Sequence, residues 1–488
     1  MQTTANKYGT QMKLAGSVEW ARAGSDWHGT DVLSAPGHAS VEWLSDCEKE
    51  RSSSEDLMTK IASVSNLAQA CRRVISNGGK GGVDRMEVKE LSSWFNSNWR
   101  NLQSELLSGS YEPSAVLGVK IPKPSGGQRQ LGIPTVKDRL VQQAIHQELS
   151  PRYERVFSNT SYGFRPQRSA HEALSQAGQY VSKGKNWVVD LDIAKFFDEV
   201  NHDRLLWLLS RRIGDKRLLK LISRFLKSGM MQDGLLSQRV KGTPQGGPLS
   251  PLLSNIVLDE LDKELERRCH SFVRYADDVI ILVKSQRAAH RVMHSISRYL
   301  SDRLRLRVSE AKTRICRPHE LNFLGHAIGW KGELYLSKES EKRFKQTIGQ
   351  ITKRTRSLSL AQLISELNAK VRGWLYYFRY ARMKKKLRYL ISWLHRKLRC
   401  YRLKQCKRAI GMMRFLHRQG VPKNRAWTTA ASRKGWWRNA NTPAANEAMN
   451  NKWFLKQGLI DFNKLYINLH TLRETAVYES THGGVRGR

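Results

Sequence analysis

Hydrophobic residues recur at three- and four-residue steps near the start of the chain, first over residues 57–67 and then over residues 91–99. This spacing places one apolar stripe along one face of a helix. A glycine-rich stretch at 77–82 separates the two sets, and glycine clusters mark turns and loops. The pattern predicts a helical segment within residues 56–110, made of two helices and a linker.

The pattern changes after residue 110, where short apolar runs alternate with helical stretches. Short apolar runs of this length, bounded by turn residues, are typical of buried strands. The strand-like runs lie at 116–124, 187–193, 272–283 and 322–328. Helical spacing returns between them at 138–149 and 170–181. Mixed strands and helices predict an α+β region with a palm-like sheet.

Strand signals fade beyond residue 336, and Leu, Ile, Trp and Tyr at helical steps predict a separate helical region. Residues 372–408 contain 14 Lys or Arg and no acidic residue. A solvated helix face normally mixes charges of both signs. The run therefore favours contact with phosphates over a merely soluble surface, although the second interpretation stays open.

Composition points to the same partner. The 488 residues contain 84 Lys and Arg against 43 Asp and Glu, so the net charge is +41, and nucleic acid is the expected counter-charge. A hydrophobic fraction of 40% and 14 Trp exclude a disordered basic tail. Residues 1–55 differ, with five basic and eight acidic residues, and we predict a loosely ordered extension there.

The six cysteines include no CxxC pair and no spacing that would close a zinc site, so we interpret them as reduced thiols. No run of 18 apolar residues and no signal-type N-terminus is present. These observations predict a cytoplasmic, nucleic-acid-associated protein with no membrane partner.

Carboxylates end two of the apolar runs. Asp277 and Asp278 lie between the two halves of the run at 272–283, which predicts a hairpin with acidic residues at its tip, and Asp190 and Asp192 end the run at 187–193. Burying bare carboxylates is costly. Neighbouring strands would bring these groups together, where two Mg²⁺ ions ~4 Å apart could support an in-line nucleotidyl transfer. The alternative is that these residues only cap strands and bind surface lysines.

These residues occur within longer motifs. In their order and spacing, the motifs resemble those of the reverse transcriptase and maturase proteins encoded by bacterial group II introns, from about residue 79 to the C-terminus. The motifs are IPKPSGGQRQLGIPTVKDRLVQQAI, YGFRPQRSAHEAL, DLDIAKFFDEVNHD, GTPQGGPLSPLLSNIVLDELD, RYADD, EAKTRICRPHELNFLGH and RGWLYYFRY.

The resemblance implies a right-hand polymerase fold. Fingers and palm would occupy residues 56–335, an α-helical thumb or maturase domain residues 336–410, and a small DNA-binding region residues 411–488. It also implies that Asp192, Asp277 and Asp278 are catalytic metal ligands, with the Ile193 backbone carbonyl as a further ligand for two Mg²⁺ ions.

The resemblance assigns nucleotide contacts as well. Lys123 and Arg129 would hold the triphosphate, Gln245 would line the incoming nucleotide, and Lys312 would protonate the pyrophosphate, unless Lys312 is a plain surface lysine. An aromatic ring at Phe197 would exclude ribonucleotides. The competing residue for that gate is Phe196, and core packing is open for either ring.

Nucleic-acid contacts follow in the same way. For Arg165 and Asn255 the roles left open are template contact or support of the sheet. Trp374, Tyr377 and Phe378 would belong to the thumb, either as core or beside RNA-binding side chains, and the tryptophan pair at 436–437 would either stack on bases or form a small core. The full set of expected RNA- or DNA-binding residues is Arg165, Arg372, Arg379, Lys384, Lys385, Lys386, Arg396, Lys397, Arg433, Lys434, Trp436 and Trp437.

One difference from many family members restricts the resemblance to one type of relative. Many relatives carry a C-terminal zinc-supported endonuclease with Cys pairs, which we do not expect here, so the likeness is to the bacterial endonuclease-lacking type. The expected function is RNA-directed DNA synthesis during intron mobility, together with assistance to splicing. Expected partners are the intron RNA, an RNA template with a DNA primer, target DNA and dNTPs, and a homodimer stays open as an alternative to a monomer. A splicing-only RNA-binding protein, or a reverse transcriptase recruited to defence or DNA repair, remains an alternative.

Overall fold

The computed structural model describes residues 56–122, 127–232, 235–237, 241–243, 246–432 and 434–470. The extension expected at residues 1–55 lies outside them. The chain divides into two compact units, which we call the sheet unit and the helical unit. The described parts of residues 1–173 and 189–315 form the sheet unit, and those of 174–188 and 316–488 form the helical unit.

The predicted N-terminal helices are present. A short helix α1 (Leu57–Ile61) precedes α2 (Val64–Asn77), and α3 (Leu91–Ser108) follows a 3₁₀ turn at Val88–Glu90. The Ser63 hydroxyl accepts the backbone N–H of Asn66 at 3.3 Å. Such a cap starts a new helix, which explains why the first apolar stripe gives two helices.

Two four-stranded sheets build the sheet unit. The first has the order β2-β1-β4-β5 and the second the order β6-β7-β3-β8. In the first sheet, Leu117 lies opposite Ile133 in an antiparallel ladder. In the second, a tight antiparallel hairpin pairs Tyr275 with Asp278. The strands are β1 (Val116–Pro122), β2 (Gln128–Ile133), β3 (Trp187–Asp192), β4 (Met230–Gln232), β5 (Leu235–Ser237), β6 (Ser271–Tyr275), β7 (Asp278–Val283) and β8 (Arg314–Cys316).

Helices cover the second sheet and bury the hairpin that β6 and β7 form at one side of it. Phe272 and Ile281 are almost fully buried, as expected for continuous apolar runs covered on both faces. The helix Ser250–Arg267 packs on β6, and the helix Gln286–Leu304 packs on β7. The helices in this part of the chain are α4 (Val136–Glu154), α5 (Ala170–Ser182), α6 (Phe196–Glu199), α7 (His202–Ser210), α8 (Lys216–Lys227), α9 (Ser250–Arg267) and α10 (Gln286–Leu304).

The helical unit begins with a small antiparallel pair, β9 (His326–Ile328) and β10 (Leu334–Leu336), after a 3₁₀ turn at Pro318–Glu320. One hydrophobic cluster then runs from Leu336 to Tyr466, so the two regions predicted at 336–410 and 411–488 share a core. Residues 462–470 are also helical. The other helices are α11 (Lys338–Ile351), α12 (Leu360–Tyr377), α13 (Lys384–Gln405), α14 (Ala409–Arg418), α15 (Lys423–Ala431), α16 (Trp436–Asn439), α17 (Pro443–Ala448) and α18 (Asn451–Lys456).

Two further expectations concern the whole chain. Among the described cysteines, all five have free thiols. No helix in the described ranges is long and apolar enough to cross a membrane.

Candidate active site and nucleic-acid surface

The acidic hairpin forms as predicted. Because Tyr275 pairs with Asp278, Ala276 and Asp277 are the two loop residues between β6 and β7. Two-residue hairpins need positive φ at a central position, and Ala276 supplies it with φ +58°. The tip therefore carries two consecutive carboxylates, Asp277 in the loop and Asp278 at the first position of β7.

Asp192 ends β3, the strand next to β7 in the sheet. Its backbone N–H donates to Thr313 Oγ1 at 3.1 Å, and its carbonyl accepts the Ser309 N–H at 2.8 Å. The next residue, Ile193, is bridged to Val308. These contacts fix the end of β3 on the segment that leads to β8, and hold Asp192 at the edge that the hairpin tip also reaches.

The charges of these groups show that they converge. The pKa of the Asp278 carboxyl is raised to about 7, first because the surrounding protein desolvates it and then because Asp277, Asp190 and Asp192 repel its charge. The side chain keeps an exposed edge, so water screens part of this repulsion. Burial likewise raises the pKa of Asp190, against the opposing charge of Arg314. The sheet thus gathers four carboxylates into one patch.

Lys312 forms an ion pair with Asp192 in this patch. Its Nζ lies 3.0 and 2.9 Å from the two carboxylate oxygens of Asp192. The lysine side chain is 68% exposed, whereas Asp192 is 29% exposed. An exposed lysine on a flexible stem can exchange a carboxylate for a phosphate, so both the pyrophosphate role and the surface-lysine alternative remain compatible with this position.

The donor set suits a hard divalent cation. Carboxylate and backbone carbonyl oxygens are the ligands that Mg²⁺ prefers. Such a cation would relieve the repulsion by Asp277, Asp190 and Asp192, which adds to burial in raising the pKa of Asp278. Within the described ranges no group of three or more His, Cys, Asp or Glu is already arranged as a metal site, and Asp192 is paired with Lys312. The residues fit the cation by the chemistry of their oxygen donors.

The structure separates the two candidate gate rings. Phe196 is 2% exposed and belongs to the core, whereas Phe197 is half-buried. Their ring centroids are 5.3 Å apart in an edge-on arrangement. The Phe197 carbonyl also accepts the N–H of Thr243 at 2.7 Å, which joins it to the TPQGG segment. Phe197 is therefore the ring with surface available to a nucleotide.

The glycines of the TPQGG segment permit close packing. A Cβ on Gly246 would lie 2.6 Å from the Gly132 carbonyl oxygen, and one on Gly247 would lie 2.1 Å from Gln142 Oε1. Gly246 also has φ +141°, a value that side chains disfavour. The predicted contacts of Lys123 and Gln245, and of the Arg129 side chain, lie outside the described residues.

Arg165 supports the protein rather than presenting its charge. It is 8% exposed, pairs with Glu154 at 3.0 Å, and donates to the carbonyls of Ser158 and Ser161 at 2.5 and 2.8 Å. Asn255 is also buried and donates to the Gly163 carbonyl at 2.9 Å. Of the two roles left open for these residues, the observed contacts are those of sheet support.

The structure adds one residue, Arg274, that the sequence motifs did not predict as part of the site. It is fully buried on β6, directly before the acidic tip. The available signal was an arginine interrupting the apolar run at 272–283, which requires a buried acidic partner.

Comparisons with known proteins agree with this geometry. The family model "Reverse transcriptase (RNA-dependent DNA polymerase)" matches residues 121–328, and "Group II intron, maturase-specific domain" matches residues 341–420. Protein YkfC of Escherichia coli (strain K12) is 34% identical over 344 residues, which cover 61% of this chain and 88% of that protein. The chain belongs to the group II intron reverse transcriptase/maturase family.

Other similarities cover less of the relatives. Group II intron-encoded protein LtrA of Lactococcus lactis subsp. cremoris is 30% identical over 343 residues. The match covers 57% of this chain and 55% of that protein. A solved "Partial Cas6-RT-Cas1--Cas2 complex" is 28% identical over 51% of this chain and 43% of that chain, with a TM-score of 0.33. The predicted α+β reverse transcriptase fold followed by a helical maturase domain is confirmed, and the first of these domains implies a divalent-metal-dependent nucleotidyltransferase.

Trp374, Tyr377 and Phe378 of the maturase domain pack against the hydrophobic cluster of the helical unit. The Trp374 ring lies 4.4 Å from Phe344 and 5.0 Å from Phe378, centroid to centroid. The Tyr377 hydroxyl donates to the Leu324 carbonyl at 2.9 Å. Of the two interpretations of this motif, the contacts of these three residues are those of packing, whereas Tyr376 is 42% exposed.

The basic residues around this motif divide into free and paired groups. Arg372, Lys384 and Lys385 are exposed. Lys386 instead lies 2.9 Å from Glu341, a carboxylate on α11 that it shares with Lys345. The one-signed run at 372–408 therefore acquires an acidic partner from another helix, which its local sequence could not show.

Arg399, another member of this run, is also withdrawn from solvent. It is 7% exposed and donates to the carbonyls of Ala440 and Met449 at 3.0 and 3.3 Å. Burial, followed by the charge of Arg396, lowers its pKa to about 10. It ties α13 to the segments that follow it.

The two tryptophans at 436–437 differ in their surroundings. Trp436 packs against the hydrophobic cluster of the helical unit. Trp437 is 38% exposed, with the Arg396 guanidinium 4.0 Å and the Lys397 ammonium 5.2 Å from its ring centroid. Lys434 is exposed beside it, and Arg433 lies outside the described residues. An exposed indole flanked by two cations can stack on a base.

Proposed function

We propose that the chain is an RNA-directed DNA polymerase that also binds its intron RNA to assist splicing, and that it synthesises cDNA during intron mobility. The observation that carries this proposal is the convergence of Asp192, Asp277 and Asp278 on adjacent strands, expressed in the raised pKa of Asp278. A reverse transcriptase whose function had been reduced to RNA binding would have no need to maintain such repulsion.

The acidic patch would hold two Mg²⁺ ions through Asp192, Asp277, Asp278 and the Ile193 carbonyl. Bound there, the ions would lower the pKa of the primer 3′-hydroxyl and stabilise the leaving pyrophosphate. Lys312 would move from Asp192 to the pyrophosphate and give it a proton. This exchange is supported by the exposure of the lysine and its 2.9 Å contact.

The nucleotide would be held from three sides. Lys123 and Arg129 would bind its triphosphate, Gln245 would line its base, and the exposed surface of Phe197 would press on the sugar. A ring at the 2′ position leaves no room for a hydroxyl, so this arrangement selects deoxynucleotides.

The maturase domain would supply counter-charge to the intron RNA through its exposed cations. Arg372, Lys384 and Lys385 are the strongest candidates, and the half-buried Arg379, which donates to the Tyr380 hydroxyl at 3.3 Å, would contribute less. Trp437 with Arg396 and Lys397 would contact single-stranded target DNA. The chain would act in a bacterial cytoplasm, as a monomer or a homodimer.

The experiment that tests the polymerase is Asp277→Ala. We expect Mg²⁺-dependent extension of a DNA primer on an RNA template to be abolished, because one of the proposed metal ligands is lost, while RNA binding by filter retention stays within about twofold. Asp302→Ala removes an exposed aspartate of α10 and should retain full activity. Primer extension by Asp277→Ala at the wild-type rate would refute the metal assignment.

A further inference from the structure

Arg274 forms an ion pair with no exposure to solvent. Its Nε lies 2.8 Å from Asp262 Oδ1 and its Nη2 lies 2.5 Å from Oδ2, and both side chains are 0% exposed. Burial raises the pKa of Asp262, the Arg274 guanidinium opposes this shift, and the charges of Asp259 and Glu266 add to it. Arginine stays protonated in proteins, so the pair is ionic. Buried ion pairs often contribute little net stability, which suggests a role beyond stability.

The third guanidinium nitrogen of Arg274, Nη1, contacts the hairpin loop that carries the acidic residues. Its Nη1 donates to Asn255 Oδ1 at 2.8 Å and to the carbonyl of Ala276 at 3.1 Å. Asn255 in turn donates to the Gly163 carbonyl at 2.9 Å. Arg274 and Asn255 thus each donate to a backbone carbonyl, Arg274 to that of Ala276 in the hairpin loop and Asn255 to that of Gly163.

Gly163 closes the arrangement from the other side. A Cβ at this position would lie 2.2 Å from the backbone nitrogen of Ala276, so the two backbones are in direct contact. Ala276 itself has φ +58°, which side-chain-bearing residues rarely adopt. The guanidinium on its carbonyl and Gly163 against its nitrogen hold this conformation. The two residues that follow are Asp277 and Asp278.

We propose that Arg274, Asp262 and Asn255 form a positioning triad that sets the Ala276 backbone and thereby presents Asp277 and Asp278 to the metal ions. None of the three touches the reacting atoms. This inference rests on the proposed polymerase function, and it predicts that the triad controls metal affinity rather than the folding of the sheet unit alone.

The decisive variant is Arg274→Met/Asp262→Leu. Arg274→Met alone would leave a buried carboxylate unpaired, whereas the double change removes both charges and keeps the volume. We expect it to melt within a few degrees of wild type. The Mg²⁺ concentration for half-maximal primer extension should rise about 10-fold or more, as for losses of groups that orient metal ligands.

A second readout is independent of catalysis. The full-length protein, without nucleic acid, is titrated with Mn²⁺ and the free ion is followed by electron paramagnetic resonance. We expect the dissociation constant of the double variant to rise by a factor similar to that of the Mg²⁺ midpoint. Asn255→Ala, which leaves the ion pair intact, should shift both quantities in the same direction by less.

Tyr111→Phe is the matched control, because it removes a buried hydrogen bond of 2.9 Å to Asp138 elsewhere in the sheet unit. It should cost some stability and leave both metal midpoints unchanged.

Wild-type metal midpoints in a folded double variant would overturn the inference. Should the double variant not fold, Asn255→Ala decides, since an unchanged Mn²⁺ affinity there would overturn the inference and a weakened one would support it. A wild-type protein that extends no primer would refute the proposed function, while the Mn²⁺ titration would still test the triad.

Discussion

The sheet unit and the helical unit differ in how their charged side chains are arranged. In the sheet unit, adjacent strands bring Asp190, Asp192 and Asp277 close enough to Asp278 that their charges add to burial in raising its pKa, and a buried network lies behind the hairpin tip. In the helical unit, cations are spread along helices, and some of them, such as Lys386, are paired with acids from other helices.

This difference predicts different responses to mutation. A convergent site depends on a few atoms placed within tenths of an ångström, so one substitution should abolish its function. A distributed surface adds many weak contacts, so one substitution should remove only its own share of binding. Substitutions in the two units test this contrast.

Asp192→Asn should have the largest effect. It removes the negative charge from a metal ligand and from the partner of Lys312, so primer extension should fall about a thousandfold or more, equivalent to roughly 4 kcal/mol of transition-state stabilisation. Steady-state extension on an RNA template measures the loss. Affinity for intron RNA should stay unchanged, and a parallel loss of RNA binding would break the contrast between the units.

Phe197→Ala should alter selectivity more than rate. Removing the half-buried ring opens space for a 2′-hydroxyl, so the preference for dNTPs over rNTPs should fall by about 10- to 100-fold. Competing single-nucleotide incorporation measures the ratio. Phe196→Ala is the comparison, because this ring is 2% exposed and its loss should lower the melting temperature instead. Preserved discrimination in Phe197→Ala would remove the gate from this position.

Trp437→Ala should weaken binding of single-stranded DNA by about 1–3 kcal/mol, the range for one stacked base, with little change in melting temperature. Trp436→Ala should do the reverse, since Trp436 packs on the hydrophobic cluster. Fluorescence anisotropy with a labelled oligonucleotide and thermal melts separate the two effects. Identical behaviour of the two variants would contradict the division of roles within the pair.

Lysine substitutions on α13 should have the smallest effects. Lys384→Ala and Lys385→Ala together should reduce the slope of log affinity against log salt by about 0.7–0.9 for each lost phosphate contact. Lys386→Ala should change the slope less, because Glu341 already pairs with this lysine. Filter binding of intron RNA between about 50 and 200 mM salt gives the slopes. Equal slopes for the three single variants would show that the pairing with Glu341 does not matter on RNA.

The predictable part of the site is the part encoded locally. The apolar runs around YADD predicted the hairpin, and the run before Asp192 predicted a neighbouring strand, because alternation and turn chemistry act over a few residues. The choice between Phe196 and Phe197 could not be made this way, since consecutive side chains point to opposite faces and the sequence does not say which face is covered.

The sequence alone predicts the family, the acidic tip on a strand pair, and a basic helical region. The folded structure was needed to show that Arg274 binds Asp262, that Glu341 pairs with Lys386, and that Trp437 is the exposed member of its pair. Each of these contacts joins residues on different elements. Such contacts depend on how the chain returns on itself, whereas periodicity and turn residues report only the neighbourhood of each position.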